Sequence, residues 1–99
     1  MAKCLVQRTF SINTANDLLV KDFYDDGTEE DVSSSFQNVT KAPGAHRIRA
    51  YVDLSIDSNG KAKICGSYTS NALEEKAETD ADMRILLDLL KIHHPEAVA

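Results

Sequence analysis

Residues 47–69, "RIRAYVDLSIDSNGKAKICGSYT", carry the clearest structural instruction in the chain. Ile48, Ala50, Val52, Leu54 and Ile56 alternate with Arg47, Arg49, Tyr51, Asp53 and Ser55. Period two marks a strand with one buried face, because successive side chains point to opposite sides of a sheet. Ala62, Ile64, Gly66 and Tyr68 alternate in the same way after "SNG". Setting Ile56 opposite Ala62 also sets Leu54 against Ile64, Val52 against Gly66 and Ala50 against Tyr68, all on one face. Ser58, Asn59 and Gly60 then form a three-residue loop, with Gly60 where a left-handed backbone is required. A slip of one residue would turn the apolar set to solvent, so pattern and turn specify one register.

The flanking segments supply a sheet and its cover. In "KCLVQRTFSI", Cys4, Val6, Phe10 and Ile12 share one face, interrupted by Arg8, and predict a third strand. The stretch "MRILLDLLKI", residues 83–92, consists of good helix formers. Thr79 with Asp82 resembles a capping box and Pro95 ends the element, predicting a helix at about 80–93. His93 and His94 fall in its last turn, where the helix dipole favours positive charge. Met83, Leu86, Leu87 and Leu90 make one apolar stripe, and Ile85, Leu89 and Ile92 a second. One sheet face needs only one stripe. The second predicts a contact with another copy of the chain, since two-fold dimers are the commonest soluble assembly.

Residues 14–39 admit two readings, of which two short helices are preferred. Thr14 with Asp17 opens the first, with Leu18, Leu19 and Phe23 as its stripe and Gly27 as its end. Thr28 with Asp31 opens the second, with Val32, Phe36 and Val39 at helical spacing. The rival reading makes "DLLVKDFYD" and "VSSSFQNV" strands of a meander. Either way the expected fold is a single α+β domain over residues 1–99. It has a small antiparallel sheet with a hairpin at 47–69, packed on one face by the C-terminal helix.

Composition limits the function. A chain of 99 residues buries roughly 60 % of the surface its unfolded form exposes, which leaves little room for a deep enclosed site. There is no apolar run long enough to span a bilayer, and the first ten residues lack the continuous apolar core of a signal peptide. A cytoplasmic protein with no membrane partner is expected. Cys4 and Cys65 are assigned to opposite sheet faces, so no disulfide is expected, and no metal or cofactor.

The net charge of −5 is unevenly spread. Asp22, Asp25, Asp26, Glu29, Glu30 and Asp31 form one acidic cluster, and Glu74, Glu75, Glu78, Asp80 and Asp82 a second. The first does not make a calcium loop of the EF-hand kind. With Gly27 central, Tyr24 falls where an acid is needed and Ser33 where the closing Glu belongs.

Three functions follow in order of preference. The first is a non-enzymatic interaction or regulatory protein, a homodimer through Ile85, Leu89 and Ile92. It would bind a basic protein partner through Asp22, Asp25, Asp26, Glu29 and Glu30. The second is nucleic-acid binding by Arg47, Arg49, Tyr51 and Lys63 on the outward face of the hairpin. The third is a small enzyme around Cys65 and His46. It is disfavoured because Asp53 opposite Cys65 would make the thiolate scarcer.

Overall fold

Five strands and one long helix account for most of the chain. The structure, a computed structural model, describes residues 3–36, 43–70 and 76–98. The strands are β1 (Leu5–Asn13), β2 (Leu18–Tyr24), β3 (Glu29–Asp31), β4 (Ile48–Ile56) and β5 (Ala62–Thr69), followed by the helix α1 (Lys76–His93). They form one antiparallel sheet in the order β3-β2-β1-β4-β5. A single α+β fold is present, as the alternation and the C-terminal stripe require.

All three hairpins turn by one construction. The loops 14–16, 25–27 and 58–60 are closed by Asn13 N–H to Asp17 O (3.2 Å), Tyr24 N–H to Thr28 O (2.9 Å) and Asp57 N–H to Lys61 O (3.0 Å). Inside each loop, the last residue donates its N–H back to the carbonyl that opens it. That last residue is Asn16, Gly27 or Gly60, at φ 65°, 85° and 79°. Glycine takes this left-handed conformation freely, and asparagine is among the side chains that tolerate it best. Asn13 Oδ1 and Asp57 Oδ1 reinforce their loops identically, each accepting the N–H groups two and four residues on.

The helices expected between residues 14 and 39 are therefore replaced, over residues 14–36, by β2, β3 and a 3-10 turn at Ser33–Ser35. The meander reading holds for 18–24. Its second strand does not over the described residues 32–36, where Asp31 accepts from the Ser33 N–H (2.9 Å) and hydroxyl (2.6 Å) and the chain turns at Ser33–Ser35. The threonine–x–x–aspartate pairs that imitate helix caps fall instead in the β1–β2 loop, for Thr14 and Asp17, and across the span from the loop-closing Thr28 to the end of β3 at Asp31. Val39, Glu74 and Glu75 lie outside the described residues.

One sheet face carries the core. Phe10 and Ile12 of β1, Leu18 and Val20 of β2, and Ala50, Val52 and Leu54 of β4 are buried there with Ala62. Leu86 and Leu90 of α1 close over them, with Met83, Leu87 and Leu89 packed at the margin. The helix starts before residue 80, so Thr79 is internal to it rather than its cap. Asp82 does not close a capping box either: its carboxylate holds Arg49.

Three irregularities redirect side chains that strict alternation places elsewhere; the first, between Leu5 and Gln7, leaves Val6 unmatched and exposed rather than on the core face with Phe10. Ile56 faces Ala62 and Leu54 faces Ile64 as expected, but Asp53 then faces Gly66. Cys65 is the extra residue of a bulge, and beyond it every side chain of β5 changes face. Tyr68 consequently pairs with Tyr51 rather than Ala50, and the two rings stack at 5.4 Å. Similarly, Ile12 faces Ala50 while Asn13 faces Ile48, which leaves Arg49 unmatched. Arg49 turns toward α1, and Ile48 turns to the open face.

A polar cluster ties the C-terminus to the sheet. Arg8 grips Asp22, which is 4 % exposed, through Nε (2.6 Å) and Nη2 (3.0 Å), and its Nη1 reaches His94 Nε2 at 3.2 Å. Glu96 accepts the Ala62 N–H at 3.0 Å and lies 4.0 Å from His94 Nδ1. Burial first, and then the Arg8 charge, push the His94 pKa below its ordinary 6.5; His93 adds to this, and Glu96 and Asp22 oppose it. The folded state thus binds fewer protons at His94 than the unfolded chain. Its contribution to stability is complete above the unfolded value near 6.5 and is lost as pH falls from there through the lower folded value. Thermal melting at pH 7.5 and 5.5 should show a steeper loss for the native chain than for His94→Gln (pH values of about one unit either side of a free histidine). Equal slopes would remove His94 from the account.

Candidate functional site

The face of the sheet opposite α1 is concave. Its residues are those that alternate with the core, so the same period that buries Phe10 and Ile12 turns Thr9 and Ser11 outward. Across the strands, one row reads Asp31, Lys21, Thr9, Asp53 and Gly66, and the next Leu19, Ser11, Tyr51 and Tyr68. The β1–β4 members of these rows, together with Phe23, Ile48, Asn13, Asp17 and His46, line a groove of 520 Å³. This volume lies within the range of small-ligand sites.

The chemistry of the groove is an apolar floor with a mostly anionic rim. Leu19, Phe23, Ile48 and Tyr51 supply the floor; Asp17, Asp31 and Asp53 supply carboxylates. Lys21, which also lines it, is paired with Glu29 at 3.1 Å. Thr9 donates its hydroxyl to Asp53 Oδ1 at 2.7 Å, and Asn13 Nδ2 donates to Asp17 at 3.3 Å. Among the described residues no group of three or more His, Cys, Asp or Glu is placed to hold a metal ion, and no helix is long and apolar enough to cross a membrane.

The acidic residues divide by location. Asp22 is buried on the helix side against Arg8, away from the exposed acids. Asp25, Asp26, Glu29 and Glu30 are exposed on the β2–β3 hairpin. Asp25 accepts the Cys4 N–H at 3.0 Å, and Asp26 accepts from Thr28, whose hydroxyl and N–H hold the Asp26 pKa below the usual carboxylate value. Glu30 accepts from the Tyr24 hydroxyl at 3.2 Å. Burial and this bond with Glu30 raise the Tyr24 pKa. The edge strand β3 is made wholly of Glu29, Glu30 and Asp31. Short, charged edge strands discourage another chain from adding to the sheet, so these acids have a structural use as well.

The other candidate residues are scattered. Arg49 is buried in its pair with Asp82, which removes it from the outward face; Arg47 and Lys63 are exposed, and Tyr51 stacks on Tyr68. His46 lines the groove and its Nε2 lies 3.0 Å from Pro43 O. Cys65 is exposed at its bulge with its thiol directed to Asp53 O at 3.5 Å, and its hydrogen bonds do not join it to His46. On α1, Ile85 and Ile92 are 50 % and 72 % exposed, whereas Leu89 packs against the core.

Sequence reasoning passed over the groove residues Ser11, Thr9, Leu19, Phe23 and Asp17. The signal was present for Thr9 and Ser11, which occupy the alternate positions of a strand already recognised. For Leu19 and Phe23 it was masked, because β2 is apolar on both faces. The fold and groove define a small α+β domain with one covered and one open sheet face. No protein-family model matches the chain, and neither a curated protein nor a solved structure matches it.

Proposed function

We propose that the protein is a non-enzymatic binding protein of the cytoplasm that receives a positively charged protein partner. The partner would lie on the acidic β2–β3 hairpin and the adjoining open face of the sheet. One observation carries this reading. On the open face Asp31 and Asp53 share a row with Lys21, which Glu29 pairs, and Asp25 and Asp26 are exposed at the adjoining hairpin. A surface of one sign steers an oppositely charged partner and holds it in a salt-dependent way. Nucleic-acid binding is the weaker alternative, since the pairing of Arg49 with Asp82 takes one of its four residues off the surface.

Assembly as a homodimer belongs to the same proposal. Ile85 and Ile92 are exposed one heptad apart on α1, and a helix pair would cover both. One set of samples tests both parts. Native protein, the Asp25→Asn/Asp26→Asn/Glu29→Gln/Glu30→Gln variant and the Ile85→Glu/Ile92→Glu variant are used to capture partners from host extract. Each is also weighed by light scattering. The neutralised variant should lose basic proteins that the native chain retains at about 0.15 M salt. Recovery of nucleic acid in their place would overturn the reading. The isoleucine variant should halve the native mass, and a native protein that already runs as a monomer refutes the dimer.

A further inference from the structure

Ser11 is the odd residue of the groove. It stands on the central strand, two residues from its end, and is only 7 % exposed. It lines the groove, yet among the described residues its hydroxyl has no hydrogen-bond partner. A buried hydroxyl without a partner is unfavourable, and native proteins rarely keep one without a use. Its cross-strand neighbours are Leu19 and Tyr51, and its diagonal neighbour on β4 is Asp53. Diagonal pairs lie about 7–8 Å apart, near enough for one ligand group to touch both side chains. Asp53 commits Oδ1 to Thr9, while Oδ2 has no hydrogen-bond partner among the described residues. The residue opposite it is Gly66, where a Cβ would stand 3.5 Å from Oδ2, so no side chain covers that oxygen from β5 at this position.

We infer that this pocket seats the head group of an organic cation, a primary alkylammonium or a guanidinium on an apolar stem. The head bridges Ser11 Oγ and Asp53 Oδ2, and the stem lies over Leu19 and Phe23. The bridge needs a group that donates at least two hydrogen bonds, which an ammonium and a guanidinium both do. Anions are repelled by Asp17, Asp31 and Asp53. The Tyr51 ring, backed by Tyr68 at 5.4 Å, offers a further surface that attracts cations. The head group arrives either as a free amine or as a lysine or arginine side chain. The inference rests on the proposed function for the sign of the partner's charge and for the open face, and it places the contact in the groove rather than on the hairpin.

Titration of the isotope-labelled protein with 2-phenylethylamine, phenylacetate and the capped tripeptide Leu-Lys-Leu tests it by amide NMR. One or both cations should move the signals of Ser11, Leu19, Tyr51 and Asp53, and phenylacetate should not. Binding to the free amine alone identifies a small-molecule ligand; binding to the tripeptide alone identifies a partner's side chain. Asp53→Asn should weaken binding about tenfold or more and Ser11→Ala several-fold, because each removes one hydrogen-bonding site of the head group. Ser11→Ala adds no bulk, so it reports even if Asp53→Asn disturbs the fold through Thr9. Asp88→Asn, exposed on α1 across the sheet from the pocket, should change affinity by less than about twofold, and Asp25→Asn/Asp26→Asn serves as the hairpin variant because it leaves the Lys21–Glu29 pair in place. Equal binding of phenylacetate, or no cation-induced shift up to about 10 mM, overturns the inference. If the hairpin variant abolishes binding and Asp53→Asn does not, the pocket is refuted while the proposed function stands.

Discussion

Asp82→Ala is expected to destabilise the protein by about 3–5 kcal/mol, the cost of stranding a buried charge. The side chains of Arg49 and Asp82 are 9 % and 6 % exposed. Arg49 donates to both oxygens of Asp82 and also to Asn16 Oδ1 at 2.7 Å. One guanidinium thus joins α1, β4 and the β1–β2 loop. Removing the carboxylate takes the counter-charge from a cation buried under the helix, which is why the penalty exceeds the net worth of the pair. A domain of this size has about 5–15 kcal/mol in total, so a large part of its stability is at stake. Urea unfolding reads the change as a lower midpoint with an unchanged slope. Arg49→Met/Asp82→Leu separates charge from volume. With no charge left to desolvate, it should recover most of the loss. A cost below about 1 kcal/mol for Asp82→Ala, the range of exposed pairs such as Lys21–Glu29, would mean that water reaches Arg49.

The same arginine shows where sequence reading stopped. Strict alternation in 48–56 places Arg49 outward with Arg47 and Tyr51. The bulge that reverses it depends on the register between Asn13 and Ile48, a contact between segments far apart in sequence. Cys65 is the parallel case: its bulge sends Tyr68 to the open face, while the loop-proximal pairs keep their predicted partners. Turn chemistry and periodicity act over a few residues and were legible over that range. A bulge costs one residue of register and is decided by what the flipped side chains meet, here Asp82 for Arg49 and Tyr51 for Tyr68.

The loops give the opposite lesson. "SNG", "DDG" and "TAN" make the same five-residue bracket, yet only the first stood between two clean period-two runs. In "TANDLLVKDFYDDGTEED" the alternation is spoiled on both sides of the sheet. Asp22 goes inward because Arg8 on the neighbouring strand pairs with it, and Leu19 and Phe23 go outward because they floor the groove. Each departure from the strand pattern has a tertiary cause, and two of them mark the candidate site. A segment that looks poorly patterned as a strand and only passably as a helix is what a two-sided strand with a functional face produces.

Phe10→Ala is expected to cost about 3–5 kcal/mol and to act through the C-terminus as well as the core. Phe10 is fully buried on β1, with Val20 and Val52 as its cross-strand neighbours. Its ring meets Phe36 edge-on at 5.3 Å and His94 at 6.1 Å, and Phe36 in turn meets His93 at 4.8 Å. These rings tie the end of α1 to the sheet at the point where Arg8 reaches His94. Removing Phe10 therefore opens a cavity beneath the helix and also takes away the surface on which His94 rests. The imidazole then gains solvent, the burial that depresses its pKa weakens, and the pH dependence of melting below 6.5 should flatten. Phe10→Leu separates the two effects. It keeps most of the apolar volume and should cost less than half as much, but it lacks the aromatic edge for Phe36 and His94 (a smaller cavity, on the order of 1–2 kcal/mol). If Phe10→Ala lowers the unfolding midpoint while the histidine signals and the pH slope stay at native values, the ring belongs to the sheet core alone. The C-terminal cluster would then be held by Arg8, Asp22 and Glu96 without it.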